Sequence, residues 1–258
     1  MKLVKTIDSS ITNEPRGTFV LGIDVSINHG AFVTLLDGRL FQYRFVTDRK
    51  KIADQMRIHA TYLEASRAKD AGRRSLLRLD FWERYFPKVI VPLQQYVGLE
   101  DYAYRAIQGS HQLGEVGGMV RLWLWRIGCN IRLHDPASVK AYTAHDGTAD
   151  KGLMIESVNA RWPETRLFFR CSELRGRQAP EEEDLCDAYA IAQMVWAEVR
   201  LRRGELALSD LPEKEIQVFN RCTKRWPVSI LGREWLRRRV GDGDGVSKQN
   251  QSTAAKAR

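Results

Sequence analysis

The sequence predicts an α/β chain: a mixed five-stranded sheet flanked by helices, with a helical insertion and a small helical C-terminal extension. Three observations lead there. Thr18–Val25 is an almost unbroken apolar run that carries Asp24 near its end, the pattern of a central strand covered on both faces. Ala31–Leu36 and Leu40–Val46 flank an Asp37-Gly38 pair, which signals a tight hairpin. Further on, short apolar runs at Tyr96–Leu99 and Asn130–His134 alternate with helical patterns, so two more strands join the first three.

The elements follow in order. Asp48 to about Asp80 is rich in Lys, Arg and helix formers, with Arg73, Arg74 and Arg78 clustered, and reads as a helical insertion. Its basic face is either solvated or phosphate-contacting, and the pattern favours neither. Phe81–Gln95 reads as a helix interrupted at Pro87, because proline has no amide hydrogen to donate. An apolar helix from about His111 to Ile127 carries Gly114, Gly117 and Gly118, which permit close approach of another backbone, within the monomer or across a dimer seam. Asp135-Pro136 starts a helix with proline in its first position, and a second helix covers Ala149 to Trp162. Pro163–Glu183 reads mainly as loop. Asp184 to about Arg203 is a strong helix with Leu185, Ala188, Ile191, Ala192 and Val195 on one side.

Domain boundaries fall where composition shifts. Residues 1–16 form an N-terminal arm and 17–203 the main domain, with its insertion at 48–80. Residues 204–240 form a C-terminal extension of two helices, and 241–258 a Gly-, Ser-, Gln- and Lys-rich tail expected to be disordered. At 258 residues and 43% hydrophobic content the chain can bury one good-sized core. Lys and Arg number 41 against 32 Asp and Glu, and the resulting +9 favours a polyanionic partner. Cys129, Cys171, Cys186 and Cys222 include no C-x-x-C pair, so neither a zinc framework nor a disulfide scaffold is indicated. With no membrane-length apolar run and no signal-peptide pattern, the expectation is a cytoplasmic protein with no membrane association.

Four acids stand out by position. Asp24 lies inside the first strand, Glu100 ends a later strand, and Asp184 and Asp187 sit one helical turn apart. Carboxylates at strand ends and on one helix face can converge at a sheet edge, where hard oxygen ligands suit magnesium or manganese. Each also has a plainer explanation. Asp24 could cap a turn, Glu100 could merely end a strand, and Asp184 could be a helix N-cap preceded by Glu181–Glu183.

Taken together, the motifs resemble the RuvC family of Holliday-junction resolvases, which has an RNase H-like core. Leu21-Gly22-Ile23-Asp24-Val25-Ser26 resembles that family's first strand with its metal-binding aspartate, and Val97-Gly98-Leu99-Glu100 the strand that delivers a glutamate. Leu113-Gly114-Glu115-Val116-Gly117-Gly118 resembles its Leu-Gly-x-x-x-Gly dimer helix, and Asp184-Leu185-Cys186-Asp187-Ala188-Tyr189-Ala190 its D-x-x-D-A-x-A helix. Lys140 and Lys151 resemble two family lysines that lie near the scissile phosphate.

The resemblance covers roughly Gly17–Val199. It implies a metal-dependent, structure-selective endodeoxyribonuclease with two Mg2+ ions per site, Mn2+ substituting. Asp24, Glu100, Asp184 and Asp187 would be the metal ligands and Lys151 and Lys140 the catalytic cations. It further implies a homodimer acting on branched DNA, preferably a four-way junction. The family's junction-wedging aromatic has Ala103 in its place here, flanked by Tyr102 and Tyr104, either of which could stack on a base or pack in the core. Tyr102, Tyr104, Arg105, Arg73, Arg74, Lys140 and Lys151 are therefore the expected DNA contacts. Compactness, basicity and the added segments suit a bacteriophage member of the family.

Competing readings remain. The extra basic segments suit a related nuclease for flaps or forks, and a catalytically dead DNA-binding member is opposed by the presence of all four acids. Gly22-Ile23-Asp24-Val25-Ser26 also resembles the first phosphate loop of actin-like ATPases and sugar kinases. Such proteins need a second Asp-x-Gly loop, and Asp242-Gly243 and Asp244-Gly245 lie in the tail.

Overall fold

Phe19–Val25 forms β1, and its apolar residues up to Ile23 are buried because helices cover both faces of the sheet. The coordinates are a computed structural model that describes residues 17–49, 54–64, 68–90, 95–101, 110–165, 180–224, 226–239 and 242. β1 pairs antiparallel with β2 (Gly30–Leu36), and β2 pairs antiparallel with β3 (Arg39–Thr47). The turn between β2 and β3 holds Asp37 and Gly38 at φ 49° and 80°, the backbone a two-residue hairpin demands.

An additional strand, β4 (Ala60–Tyr62), pairs in parallel with β3 at the edge. It lies within the segment expected to be helical, where among the described residues a 3-10 turn at Asp54–His59 precedes it. On its other side β1 pairs in parallel with β5 (Tyr96–Glu100), which pairs in parallel with β6 (Asn130–His134). Among the described residues the sheet therefore has six strands in the order β4-β3-β2-β1-β5-β6, one more than expected. Without β4, the order is the RNase H-like arrangement that the resemblance implies.

Helix α1 (Ala71–Val89) runs unbroken across the boundary expected at Asp80. Pro87 does not interrupt it. The proline sits within the last turn, with only Lys88 and Val89 after it in the helix, and Ile90 N–H closes the helix onto Phe86 O. With α2 (Ser110–Arg126), α1 covers one face of the sheet, packing Trp82, Tyr85, Phe86, Val120 and Leu124 against Leu21, Ile23, Leu99 and Leu133. The other face carries α3 (Pro136–Ala144), α4 (Lys151–Arg161) and α5 (Pro180–Arg203), packed on Val20, Val33, Leu35 and Phe45. Helix α5 starts at Pro180 rather than Asp184, so Glu181–Glu183 are its first turn and not loop. Every residue from Leu185 to Val195, apart from Asp187, is buried, as suits a helix at the centre of a domain.

Among the described residues the C-terminal extension holds one α-helix, α6 (Glu213–Asn220), and a 3-10 turn at Leu208–Asp210, rather than two helices. Beyond them Leu236 forms an antiparallel bridge with Ile131 on the outer edge of β6. A buried ion pair fastens this segment. Arg132 of β6 donates to both carboxylate oxygens of Glu198 on α5, at 2.9 and 2.6 Å, and to the carbonyls of Arg233 and Glu234. The N-terminal arm and nearly all of the tail lie outside the described residues, as does Cys171; Cys129, Cys186 and Cys222 are free thiols. Among the described residues no helix is long and apolar enough to cross a membrane.

Removing one member of a desolvated pair leaves the other's charge buried and unmatched. Glu198→Ala should therefore cost about 3–5 kcal/mol in urea unfolding, and hydrogen exchange should show residues 230–239 released first.

Candidate active site at the carboxylate edge

Because β1, β3, β5 and β6 all run in the same direction, their C-terminal ends share one edge of the sheet. Side chains alternate along a strand, so Gly22 and Asp24 point to one face, as do Gly98 and Glu100. Gly22 is in register with Gly98, and Asp24 and Glu100 follow the Ile23–Leu99 pair. Helix α5 lies directly over these two glycines. A Cβ on Gly22 would stand 2.0 Å from Ala188 O, and one on Gly98 would stand 2.6 Å from Ile191 Cγ2 and Val195 Cγ2. The absence of side chains there lets α5 rest on the sheet backbone. Asp184 and Asp187, in the turns of α5 before that contact, are thereby carried to Asp24 and Glu100.

The plainer explanations for two of these acids fall away. Asp184 is inside α5 and is not its N-cap. The β1–β2 turn is closed by Ser26, whose Oγ donates to His29 O and accepts from His29 N–H, rather than by Asp24.

The four carboxylates sit in one another's electrostatic field. Crowding by protein, then the charges of Asp184, Glu100 and Asp187, raises Asp24 well above the usual carboxylate range. Loss of water and the Asp187 charge push Glu100 up to about 8, and the same two causes take Asp184 to about 7. Asp187 rises to about 6 through loss of water, opposed by Lys140 and Lys151. The site is still open to solvent: Glu100 is exposed, and Asp24, Asp184 and Asp187 are half-buried, which moderates every one of these shifts. Among the described residues no three carboxylate, imidazole or thiol groups already surround one point at ligand distances. The acids share a field rather than a closed cage. As donors they fit hard divalent cations in kind, since every one offers oxygen and their repulsion is what such a cation relieves.

The two lysines arrive by a helix reversal. Lys140 is on α3, which ends at His145 in a left-handed conformation (φ 58°). Asp150 then caps α4 by accepting from Leu153 N–H at 2.9 Å, which puts Lys151 in the first turn. Lys140, Lys151, Glu183, Cys186 and Asp187 line a pocket of about 100 Å³ beside the acids. Lys151 donates to Glu183 and is held above its ordinary pKa by that bond.

One contributor to the site, Glu183, and one buried neighbour of Glu100 in the sheet, His134, escape the sequence reading. Glu183 falls in a stretch that reads as loop. His134, in register with Glu100, is buried with neither ring nitrogen hydrogen-bonded, and burial with Arg132 nearby lowers it to about 3, so its ring is neutral. Of the expected DNA contacts, Arg73 is exposed at the start of α1, and Arg74 donates to Ala68 O at 3.0 Å. Arg78, clustered with them in the sequence, is buried and lies in the field of Arg74 and Asp48. Tyr102, Tyr104 and Arg105 lie outside the described residues.

The chain is similar to a solved structure of Thermus thermophilus RuvC, with 22% identity over 72% of this chain and 97% of that one, at a TM-score of 0.39. It is also similar to T. thermophilus RuvC in complex with a Holliday junction substrate, with 21% identity over 72% and 96% of the two chains, at a TM-score of 0.40. No family model matches the sequence, and no curated protein does. The structural likenesses are distant, so the fold assignment rests on strand order and register.

Packing and charge at this edge can each be tested. Gly22→Ala forces α5 away from β1 and should cost about 1–3 kcal/mol, whereas Gly114→Ala, with nothing within 4 Å of the new carbon, should be neutral or stabilising in thermal melts. Carboxyl groups raised in the folded state bind more protons there than in the unfolded chain, so their contribution to stability is lost as pH rises. In EDTA the melting temperature should therefore decline as pH rises from the ordinary carboxylate range near about 4 through the raised values of about 6 to about 8, and Asp187→Asn should flatten that decline. An identical pH profile in the variant would contradict the assignment.

Proposed function

We propose that the chain is a metal-dependent, structure-selective DNA endonuclease that resolves four-way junctions by paired nicks. The observation that carries this reading is the gathering of Asp24, Glu100, Asp184 and Asp187, from three separate elements, at one open sheet edge beside Lys140 and Lys151. Magnesium ions, or manganese in their place, would be held by these four acids, two per site, and would supply Lewis-acid activation of water and of the leaving oxygen. Lys151 and Lys140 would neutralise charge developing on the phosphate, as oriented cations do in phosphoryl transfer. Glu183 keeps the Lys151 ammonium beside the acids while no phosphate is there to hold it.

A homodimer would set two such sites on opposing strands. The stretch of α2 around Gly114, where an added Cβ would meet nothing within 4 Å, is the candidate for that contact. Arg73 and Arg74 would contact phosphate. Tyr102, Tyr104 and Arg105, which follow directly on Glu100 in the chain, are the candidates for contact at the branch point. A second reading, cleavage of forks or flaps, is favoured by the cationic insertion and extension that lie beyond the resemblance.

Asp24→Asn and Asp187→Asn should each reduce nicking of a labelled four-way junction by about 100-fold or more, with binding equal or tighter because negative charge is removed. Normal cleavage by both variants would overturn the site. A panel of junction, fork, flap and duplex in magnesium or EDTA separates the readings: paired nicks confined to the junction select the resolvase, and equal cutting of all four rejects structure selectivity.

A further inference from the structure

The C-terminal extension builds one wall of a groove. Ile131 and Leu236 exchange backbone hydrogen bonds of 2.8 and 3.0 Å, and the segment around Leu236 then runs beside α2. Between them is a groove of about 510 Å³, within the roughly 300–1,000 Å³ of sites for small organic groups. Its floor is apolar, made of Leu122, Trp125, Trp235 and Leu236. Trp235 is held rigidly, 5.3 Å from the Tyr96 ring and under the Arg132 guanidinium. Leu122 and Leu236 are each 46% exposed, although both are aliphatic.

The rim is cationic. Arg121, Arg237 and Arg239 line it, and the Arg238 guanidinium lies 5.4 Å from the Trp125 ring centre. The opposing acids are Glu234, whose pairing with Arg239 is solvent-exposed and weak, and Asp101, 3.9 Å from Arg121. Asp101 directly follows Glu100, so Arg121 joins this groove to the carboxylate edge.

We propose that the groove takes an unpaired DNA strand, seating a base on the apolar floor with its phosphates along Arg237–Arg239; this rests on the DNA-nuclease reading above. An unstacked base presents an apolar face on an anionic backbone, and aromatic floors with cationic rims match that combination. A duplex hides its base faces and would meet only the rim. A second copy of the chain fits less well. A two-fold contact sets a patch against itself, and here that would oppose arginines with arginines. A dimer seam at Gly114 would lie eight residues before Leu122, about 12 Å along the α2 axis, and leave the groove at its flank.

The test uses the full chain in EDTA, so that binding is read apart from chemistry. Anisotropy of fluorescein-labelled (dT)12 is compared for the wild type, Arg237→Ala/Arg239→Ala and Leu122→Asp. Each variant should bind the oligonucleotide about ten-fold or more weakly, and the arginine variant should lose about one to two units of salt slope. Four-thiothymidine cross-links on the wild type should map to peptides containing Trp125 or residues 235–239, a readout independent of variant folding. Unchanged (dT)12 affinity in both variants, or cross-links only elsewhere, overturns the proposal. So does a Leu122→Asp chain that binds (dT)12 normally but halves in mass by light scattering, which would give the face to a second copy. Wild-type binding to duplex alone refutes the groove and leaves the nuclease reading standing, whereas binding to neither form of DNA refutes both.

Discussion

The candidate site depends on one steric constraint, the contact of α5 with the bare backbone of β1 and β5 at Gly22 and Gly98. Sheet and helix normally stand apart by the length of the side chains between them. At this register there are none on the sheet side, and the α5 backbone reaches within a Cβ's distance of Gly22. Each glycine is two residues before an acid on the same face, so the gap that admits the helix also aims Asp24 and Glu100 at it. The small residues Ala188 and Ala192 complete the approach from the helix side. A single side chain at either glycine would lift Asp184 and Asp187 away from the strand acids. The pairing of a small residue with a carboxylate two positions later is therefore the structural statement of the site.

That approach has an electrostatic cost. Four carboxylates facing one another raise each other's proton affinity, and the protein supplies only partial relief through Lys140 and Lys151. A pair of lysines cannot neutralise four acids, and Lys151 is shared with Glu183. The arrangement is strained in the absence of further positive charge, which is the condition under which a site binds cations. The surrounding structure bears that strain through rigid elements: α5 is buried over most of its length, and Thr47 donates to the buried Glu181 at 2.6 Å to pin its first turn to the end of β3. Functional sites commonly carry such local conflict, supported by the fold around them.

Most of the fold is legible in the sequence because its signals are local. The apolar run of β1, the Asp37-Gly38 turn and the Asp135-Pro136 helix start each act within a few residues, and each forms where expected. What escapes depends on distant partners. Ala60–Tyr62 becomes a strand only because β3 offers an open edge, and nothing in three residues announces that. Charged residues at 181–183 resemble a loop, although they are the acidic first turn that a helix N-terminus favours. Pro87 misleads because it costs only one hydrogen bond near the helix end, while Trp82, Tyr85, Phe86 and Val89, packed in the core around it, hold the helix together. The four acids are found from position alone, but their proximity rests on the Gly22–Gly98 register, which only the paired strands reveal.

The extension after α5 follows a different logic from the core. An edge strand such as β6 presents unpaired backbone groups, and covering them suppresses association with other chains. A simple strand or helix would suffice for that. Here the cover is held instead by a buried arginine: Arg132 binds Glu198 and the carbonyls of Arg233 and Glu234, while Arg202 binds Glu198 and the carbonyls of Ile230 and Arg233. Two guanidinium groups thus fix the backbone path of residues 230–234, and Trp235 stacks on Arg132. Rigid backbone at that point allows the next residues, 236–239, to keep a leucine and three arginines at the surface without collapsing onto α2. A cover needed only for solubility would not have to hold an apolar floor open beside a cationic rim, so the clamp accounts for the groove as well as for the protected edge.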